Sequence, residues 1–229
     1  MKYRSAVAAI AAAGLAVSLT ALSAEAESTV SGTALAGTVV RKADLSPWFS
    51  RVRTVTAPTP GTGENRTRAA ALCFKANGGM LGIRKLPGRQ ALSEMMMIGR
   101  SSGGISSFIA QYGSKAKAKA TMKSALAKLA RCPGVISIPD FTITQASLGQ
   151  GKFYGGKAVG TYITIDEPGS GVDILVYDVL RRTGRALSFT TFRRAHEWPS
   201  GPPASVPAQV RSATDYLSIL VASRYAAAA

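Results

Sequence analysis

From residue 91 onward the apolar positions change period repeatedly, and each change predicts an element. Over residues 91–98 and 104–112 apolar side chains run with serines interleaved, which reads as two strands joined across Arg100-Ser101-Ser102-Gly103. From 114 to 131 the period lengthens. Ala118, Met122, Ala125, Leu126 and Leu129 recur at helical spacing behind Ser114, a good N-cap, and Cys132-Pro133-Gly134 stops the helix. The period then shortens again. Residues 141–148 alternate Phe141 and Ile143 against Thr142 and Thr144, and 151–166 carry Val159, Tyr162, Ile163 and Ile165. Residues 173–181 and 185–193 flank Arg182-Thr183-Gly184, a compact hairpin turn. After a proline-rich bridge over 198–207, residues 209–226 form a closing amphipathic helix. Its inward side is Val210, Ala213, Tyr216 or Leu217, Leu220 and Val221. Strands meandering between one central and one terminal helix predict an α+β domain, an antiparallel sheet with helices packed on one face.

The first ninety residues are patterned less clearly. Residues 68–76 fit helix or strand, carry Cys73 and end at the turn Asn77-Gly78-Gly79; residues 55–65 read as a Pro/Gly/Thr loop. Asp44-Leu45-Ser46-Pro47-Trp48 looks like the domain entry, with Asp44 or Ser46 placed to cap a short turn. Residues 27–43, small and unpatterned, are expected to be a flexible lead-in to a single domain over 44–229. Before them, Lys2 and Arg4 precede an uncharged run over 5–22, and Ala24 and Ala26 occupy the two positions that signal peptidase reads. Residues 1–26 are therefore expected to be a cleaved signal peptide. With no cysteine beside Ala26 and no later apolar stretch of spanning length, the mature chain is expected to be secreted, without lipid anchor or membrane span.

Charge changes the picture more than size does. The chain has 28 Lys+Arg against 12 Asp+Glu, a formal net charge of +16, and between residues 65 and 139 Glu94 is the lone acid among thirteen bases. Such a field attracts polyanions. It concentrates on the outer side of the predicted central helix, where Lys115, Lys119 and Lys123 form an i, i+4 row and Lys117, Lys128 and Arg131 lie further round. No acid on that helix pairs with them, which makes these six residues candidates for contact with an anionic envelope polymer or a membrane surface. Aromatic interleaving is absent, so specific nucleic-acid binding is not expected. Cys73 and Cys132, an even pair in an oxidising compartment, are expected to be bridged.

Catalytic and cofactor chemistry finds few materials. His196 is the single histidine, so an exported hydrolase would have to be built on it, and there is no G-x-S-x-G elbow. Two cysteines and one histidine do not supply a metal's four ligands. The glycine-rich run 149–157 lacks G-K-[ST] and precedes a strand where a phosphate loop needs a helix, so no cofactor is expected. Asp173 and Asp178, five apart on one strand, face opposite sides and cannot act as a glycosidase pair.

Asp44-Leu45, Trp48, Cys73, the helix closing on Leu129-Ala130-Arg131-Cys132, the strand pair between Asp173 and Phe192 and the final helix follow one another in a familiar order. In this layout the chain resembles the PknH-like extracellular sensor domain family of actinobacteria over residues 45–225. The resemblance implies an α+β domain with a cleft for an external small ligand and no catalysis. It departs in carrying no kinase domain or membrane anchor, and one disulfide where the kinase's domain has two. The leading expectation is thus a secreted, non-enzymatic ligand-binding or sensor-type domain of the cell envelope. A basic polyanion-binding protein and a hydrolase using His196 are the alternatives.

Overall fold

The structure is a computed structural model and describes residues 29–61, 71–77, 80–83, 86–87, 89–98, 102–139, 141–148, 158–166, 172–196, 198 and 202–229. The expected signal peptide, the start of the lead-in (residues 27 and 28) and the glycine-rich run 149–157 lie outside the described residues. The strands are β1 (Val52–Pro60), β2 (Ala71–Phe74), β3 (Met80–Gly82), β4 (Arg89–Met97), β5 (Ser102–Gln111), β6 (Val135–Ile138), β7 (Phe141–Ser147), β8 (Ala158–Asp166), β9 (Asp173–Thr183) and β10 (Ala186–His196). The helices are α1 (Gly32–Ala36), α2 (Lys115–Leu129) and α3 (Ala208–Ala228), with a 3-10 turn at Lys42–Leu45. Eight strands make one sheet in the order β1-β4-β5-β10-β9-β8-β7-β6, every neighbour antiparallel, and β2 and β3 pair as a separate hairpin. This is the α+β architecture that the pattern predicts.

The helices do not share one face. Side chains alternate along each strand, so β9 sends Leu175, Tyr177 and Val179 to one face and Val176, Asp178 and Leu180 to the other. On the first face α3 packs over β9 and β10 with Val210, Ala213, Leu217 and Val221; Leu217 resolves the choice with the exposed Tyr216, while Leu220, expected inward, is only half-buried and outside the core. On the second face α2 buries Ala118, Met122, Ala125 and Leu129 against Phe108, Leu180 and Phe189, beside Leu72 and Cys73 of β2. The expected single helical layer is corrected to two because the central strands are apolar on both sides. Residues 158–164 of β8 are all buried, and such a strand needs a cover on each face. The Ser114 hydroxyl caps α2, accepting from the Lys117 N–H at 3.1 Å. Between β9 and β10 the reversal needs a left-handed residue, and Gly184 supplies it at φ 53°.

Two further readings are corrected. The stretch expected to be a flexible lead-in is core: Leu35, Val39 and Val40 are fully buried and Val30 nearly so. Short, uncharged residues looked unpatterned because they fill gaps between α3 and the β1/β4 end of the sheet rather than lining one periodic face. Polar contacts fix them there. In the orientation that satisfies its surroundings, the Gln111 amide meets both backbone groups of Val30, at 3.1 and 3.2 Å, and accepts from the Tyr225 hydroxyl at 2.9 Å. The loop expected over 55–65 is, up to Pro60, the edge strand β1. Its prolines at 58 and 60 and two register shifts against β4 blunt an edge that would otherwise pair with another chain.

The turn expected to start at Pro47 behind Asp44 or Ser46 lies earlier, at Lys42–Leu45 with Arg41 as its N-cap, and Asp44 acts from inside it: its Oδ2 accepts from the Arg41 N–H at 2.7 Å. Both its oxygens also take the Arg224 guanidinium of α3 at 2.7 Å, while Arg224 donates to the Val39 carbonyl at 3.3 Å. Burial pushes the Asp44 carboxyl up, but the Arg224 and Arg41 contacts outweigh it, and its pKa falls below the ordinary 3.8. An acid with a lowered folded pKa adds stability above its ordinary pKa and loses it as pH falls toward the depressed value. Asp44→Asn is expected to cost about 1–2 kcal/mol at pH 7, in the range of charge-assisted hydrogen bonds. Urea titrations at pH 7 and near pH 2 check this; an equal loss at both would refute the charge's role.

Candidate functional site

On the second face α2 and the β2–β3 hairpin cover only part of the sheet. Beside them the floor is open and forms a groove of about 690 Å³, a size suited to a small molecule. Two rows of directly opposed residues cross its floor. In the first, Thr56 of β1 faces Glu94 of β4, Glu94 faces Ser106 of β5, Ser106 faces Thr191 of β10, Thr191 faces Asp178 of β9, and Asp178 faces Thr161 of β8. Six adjacent strands thus carry an unbroken line of hydroxyls and two carboxylates, of which Glu94, Ser106, Thr191 and Asp178 line the groove itself. In the second row Met96, Gly104, Arg193, Val176 and Ile163 succeed one another. Gly104 has to be glycine, since a Cβ there would come within 2.8 Å of the Met95 carbonyl oxygen; its missing side chain leaves the floor open.

The wall is built from Leu72, Cys73 and Phe74 of β2, and two devices hold it. The Cys73–Cys132 disulfide ties it to the segment just beyond α2, as the cysteine pair predicts. Gln145 of β7 then takes the place of a strand. Its Oε1 accepts from the Phe74 N–H at 2.9 Å, and its Nε2 donates to the carbonyls of Phe74 and Pro133, both at 2.8 Å. A hairpin too short to stand alone is thereby fixed to the main sheet.

The electrostatics of the floor are set by Asp178. It is half-buried, and burial pushes its carboxyl up to about 6 although a hydrogen bond with Thr191 pulls it down. Glu94 accepts from the Thr56 hydroxyl at 3.4 Å, a weak contact. Among the described residues neither carboxylate has an ion-pair partner. Arg193, in the next row, is exposed at the rim.

The residues singled out for charge are placed elsewhere. Lys115, Lys117, Lys119 and Lys123 are exposed on α2 and Arg131 is exposed just past its end, all clear of the groove lining. Lys128 does not belong with them: its Nζ donates to the Gly82 carbonyl at 2.7 Å and pins β3 to α2. His196 ends β10, edge-on to Trp198 with ring centroids 5.1 Å apart. Among the described residues no side chain hydrogen-bonds its imidazole, so the geometry lends nothing to a hydrolase built there. No three metal-ligating side chains gather among the described residues. Asp173 and Asp178 do fall on opposite faces, as their spacing predicts.

No protein-family model matches the chain, and no curated protein matches it. Solved structures do. The extracellular domain of PknH from Mycobacterium tuberculosis superposes with a TM-score of 0.51 at 9% identity, over 85% of this chain and 98% of that one. An uncharacterized protein from Mycobacterium smegmatis, the Rv0999 ortholog, does so with a TM-score of 0.40 at 13% identity, over 87% of this chain and 97% of that one. The chain is therefore similar in fold to the PknH extracellular domain. Among the described residues no helix is long and apolar enough to cross a membrane.

Proposed function

We propose that this chain is a non-enzymatic, sensor-type ligand-binding domain that works outside the cytoplasm, with the second-face groove as its site. The observation that carries this reading is the polar row from Glu94 to Asp178, set into a half-apolar concavity that the fold leaves open. A few placed polar groups on an apolar floor are what binding sites for small molecules share. Likeness in fold to an extracellular domain supports the location, as does the signal-like N-terminus. Native mass spectrometry of protein recovered from culture fluid tests it. The parent is expected to carry a small molecule that Ser106→Phe and Thr191→Phe, which fill the floor, lose at least tenfold while still folding. A parent that carries nothing, and that responds to no compound in a screen followed at groove methyls, would end this reading.

The exposed lysines of α2 support a second reading, contact with an anionic polymer or lipid surface, which the first does not exclude. Binding to anionic vesicles is expected to fall steeply with salt, and to weaken when Lys115, Lys119 and Lys123 all become Gln. Stability is expected to move by only about half a kcal/mol, because the buried side of α2 runs through Ala118, Met122 and Leu129. Salt-independent binding, or a triple variant that binds as tightly as the parent, would refute it.

A further inference from the structure

We infer that the groove takes an elongated organic cation, an amine- or guanidinium-bearing molecule with an apolar body; this rests on the groove being the ligand site. The argument begins from a surplus. The chain has 28 bases for 12 acids, yet among the described residues Glu94, Asp166 and Asp178 carry no ion pair, and of these Glu94 and Asp178 line the groove. Asp44 has Arg224, and Asp215 has Arg211 at 3.8 Å. Glu94 and Asp178, by contrast, stand in the groove with hydroxyl partners only among the described residues. Arg193 sits one row away, yet it makes no ion pair with either.

The local field favours a cation although the molecule as a whole is strongly positive. At physiological salt the charge on the rest of the surface is screened beyond about 8 Å, whereas a carboxylate at a half-desolvated floor acts at contact distance through a lower effective dielectric. Ser106 and Thr191, between the two acids, offer hydroxyls that can accept from an N–H or donate to the ligand's own oxygen atoms. In the neighbouring row Met96 on one side of Arg193, and Val176 and Ile163 on the other, offer apolar contacts along the same direction.

Length follows from the sheet. Glu94 is on β4 and Asp178 on β9, three strand spacings apart in the order β4-β5-β10-β9. At the usual inter-strand spacing the two carboxylates are about 14 Å apart. An extended chain with a cation at each end can meet both at once, and the second contact is then made at high effective concentration.

Calorimetry on the folded, disulfide-bonded protein, with groove methyl resonances followed by NMR, tests this with three matched probes: α,ω-diaminodecane, the corresponding diol and the corresponding dicarboxylate. The diamine is expected to bind at the groove at least tenfold more tightly than the diol, and the dicarboxylate more weakly than either. Glu94→Gln and Asp178→Asn are each expected to cost the diamine about tenfold, as loss of a charged hydrogen-bond partner does, while leaving the diol unchanged. A diamine no tighter than the diol, or unaffected by both substitutions, overturns the inference; if the diol still shifts the groove methyls, the ligand-site reading survives it. If none of the three probes moves those methyls, both readings fall together.

Discussion

Replacing Cys73 and Cys132 by Ala together is expected to remove about 4 kcal/mol of stability, the chain-entropy value for a loop of this size. The two cysteines are 59 residues apart, so the bond closes off a quarter of the chain and sharply restricts the unfolded ensemble. Its native-state role adds to that. Cys73 is buried at the junction of β2 with the second-face core and lines the groove, while Cys132 sits half-buried where α2 ends. For a domain of this size such a loss corresponds to a melting point lower by roughly 8–16 °C. The effect on the groove is expected to exceed that on the rest of the fold. Without the bond the β2–β3 wall depends on the two Gln145 hydrogen bonds to Phe74, the Lys128 bond to Gly82 and Leu72 packing. Thermal melts of the double variant check the global loss, and amide exchange at Leu72 and Phe74, compared with that in β9, checks the local one. Thiol titration of the denatured, unreduced parent is expected to find no free thiol. A double variant as stable as the parent, or a parent with two reactive thiols, would refute the assignment.

Much of the fold is legible in the sequence because its elements obey simple periods. The inward residues of α2 and α3 and the hairpin around Gly184 follow from spacing and turn chemistry alone. The number of helical layers does not follow as easily, yet a signal for it exists. Val159, Tyr162 and Ile163 belong to a run without alternation, and a strand buried on both faces reads that way. The packing of residues 30–45 left no such trace, since Leu35, Val39 and Leu45 are buried by tertiary contacts with α3 and β4 rather than by one periodic face. The site was less legible for a different reason. Glu94, Ser106, Thr191 and Asp178 are scattered between positions 94 and 191, and only the register of four strands brings them into line. Serines interleaved along β4 and β5 hinted at a polar row, and the isolation of Glu94 among bases hinted at its importance. Nothing in one sequence says which strand lies beside which. The lysines of α2, by contrast, stood out because helical spacing makes a surface row visible.

Asp178→Asn is expected to make the protein more stable at pH 7.5 and to leave it nearly unchanged at pH 4. In the unfolded chain this carboxyl titrates near its ordinary 3.8, whereas at the groove floor it is pushed up to about 6. The folded state therefore holds the proton more tightly than the unfolded state does. Below pH 3.8 the group is neutral in both and costs nothing. Between 3.8 and about 6 the unfolded chain ionises first, so stability falls as pH rises; above about 6 the full penalty is present. Two pKa units correspond to about 3 kcal/mol, and contact with water at the half-buried floor reduces this, so a gain of about 1–3 kcal/mol is expected from the neutral isostere. Asparagine keeps the shape and still offers Thr191 an oxygen to bond. Subtracting the parent's curve from the variant's between pH 4 and 8 cancels the titration of all groups the substitution leaves unperturbed, so the difference reports Asp178. A flat difference, or a variant less stable than the parent at pH 7.5, would show that the carboxylate is fully compensated within the fold. A difference that opens between pH 4 and 6 would mean that the chain keeps, at a cost, a charge that its own folding does not use. Stability given up at one position of a cleft is the mark of a group selected for binding. The same substitution that strengthens the fold is then the one expected to weaken the hold on a cationic ligand, and those opposite signs in one variant separate a binding carboxylate from a merely misplaced one.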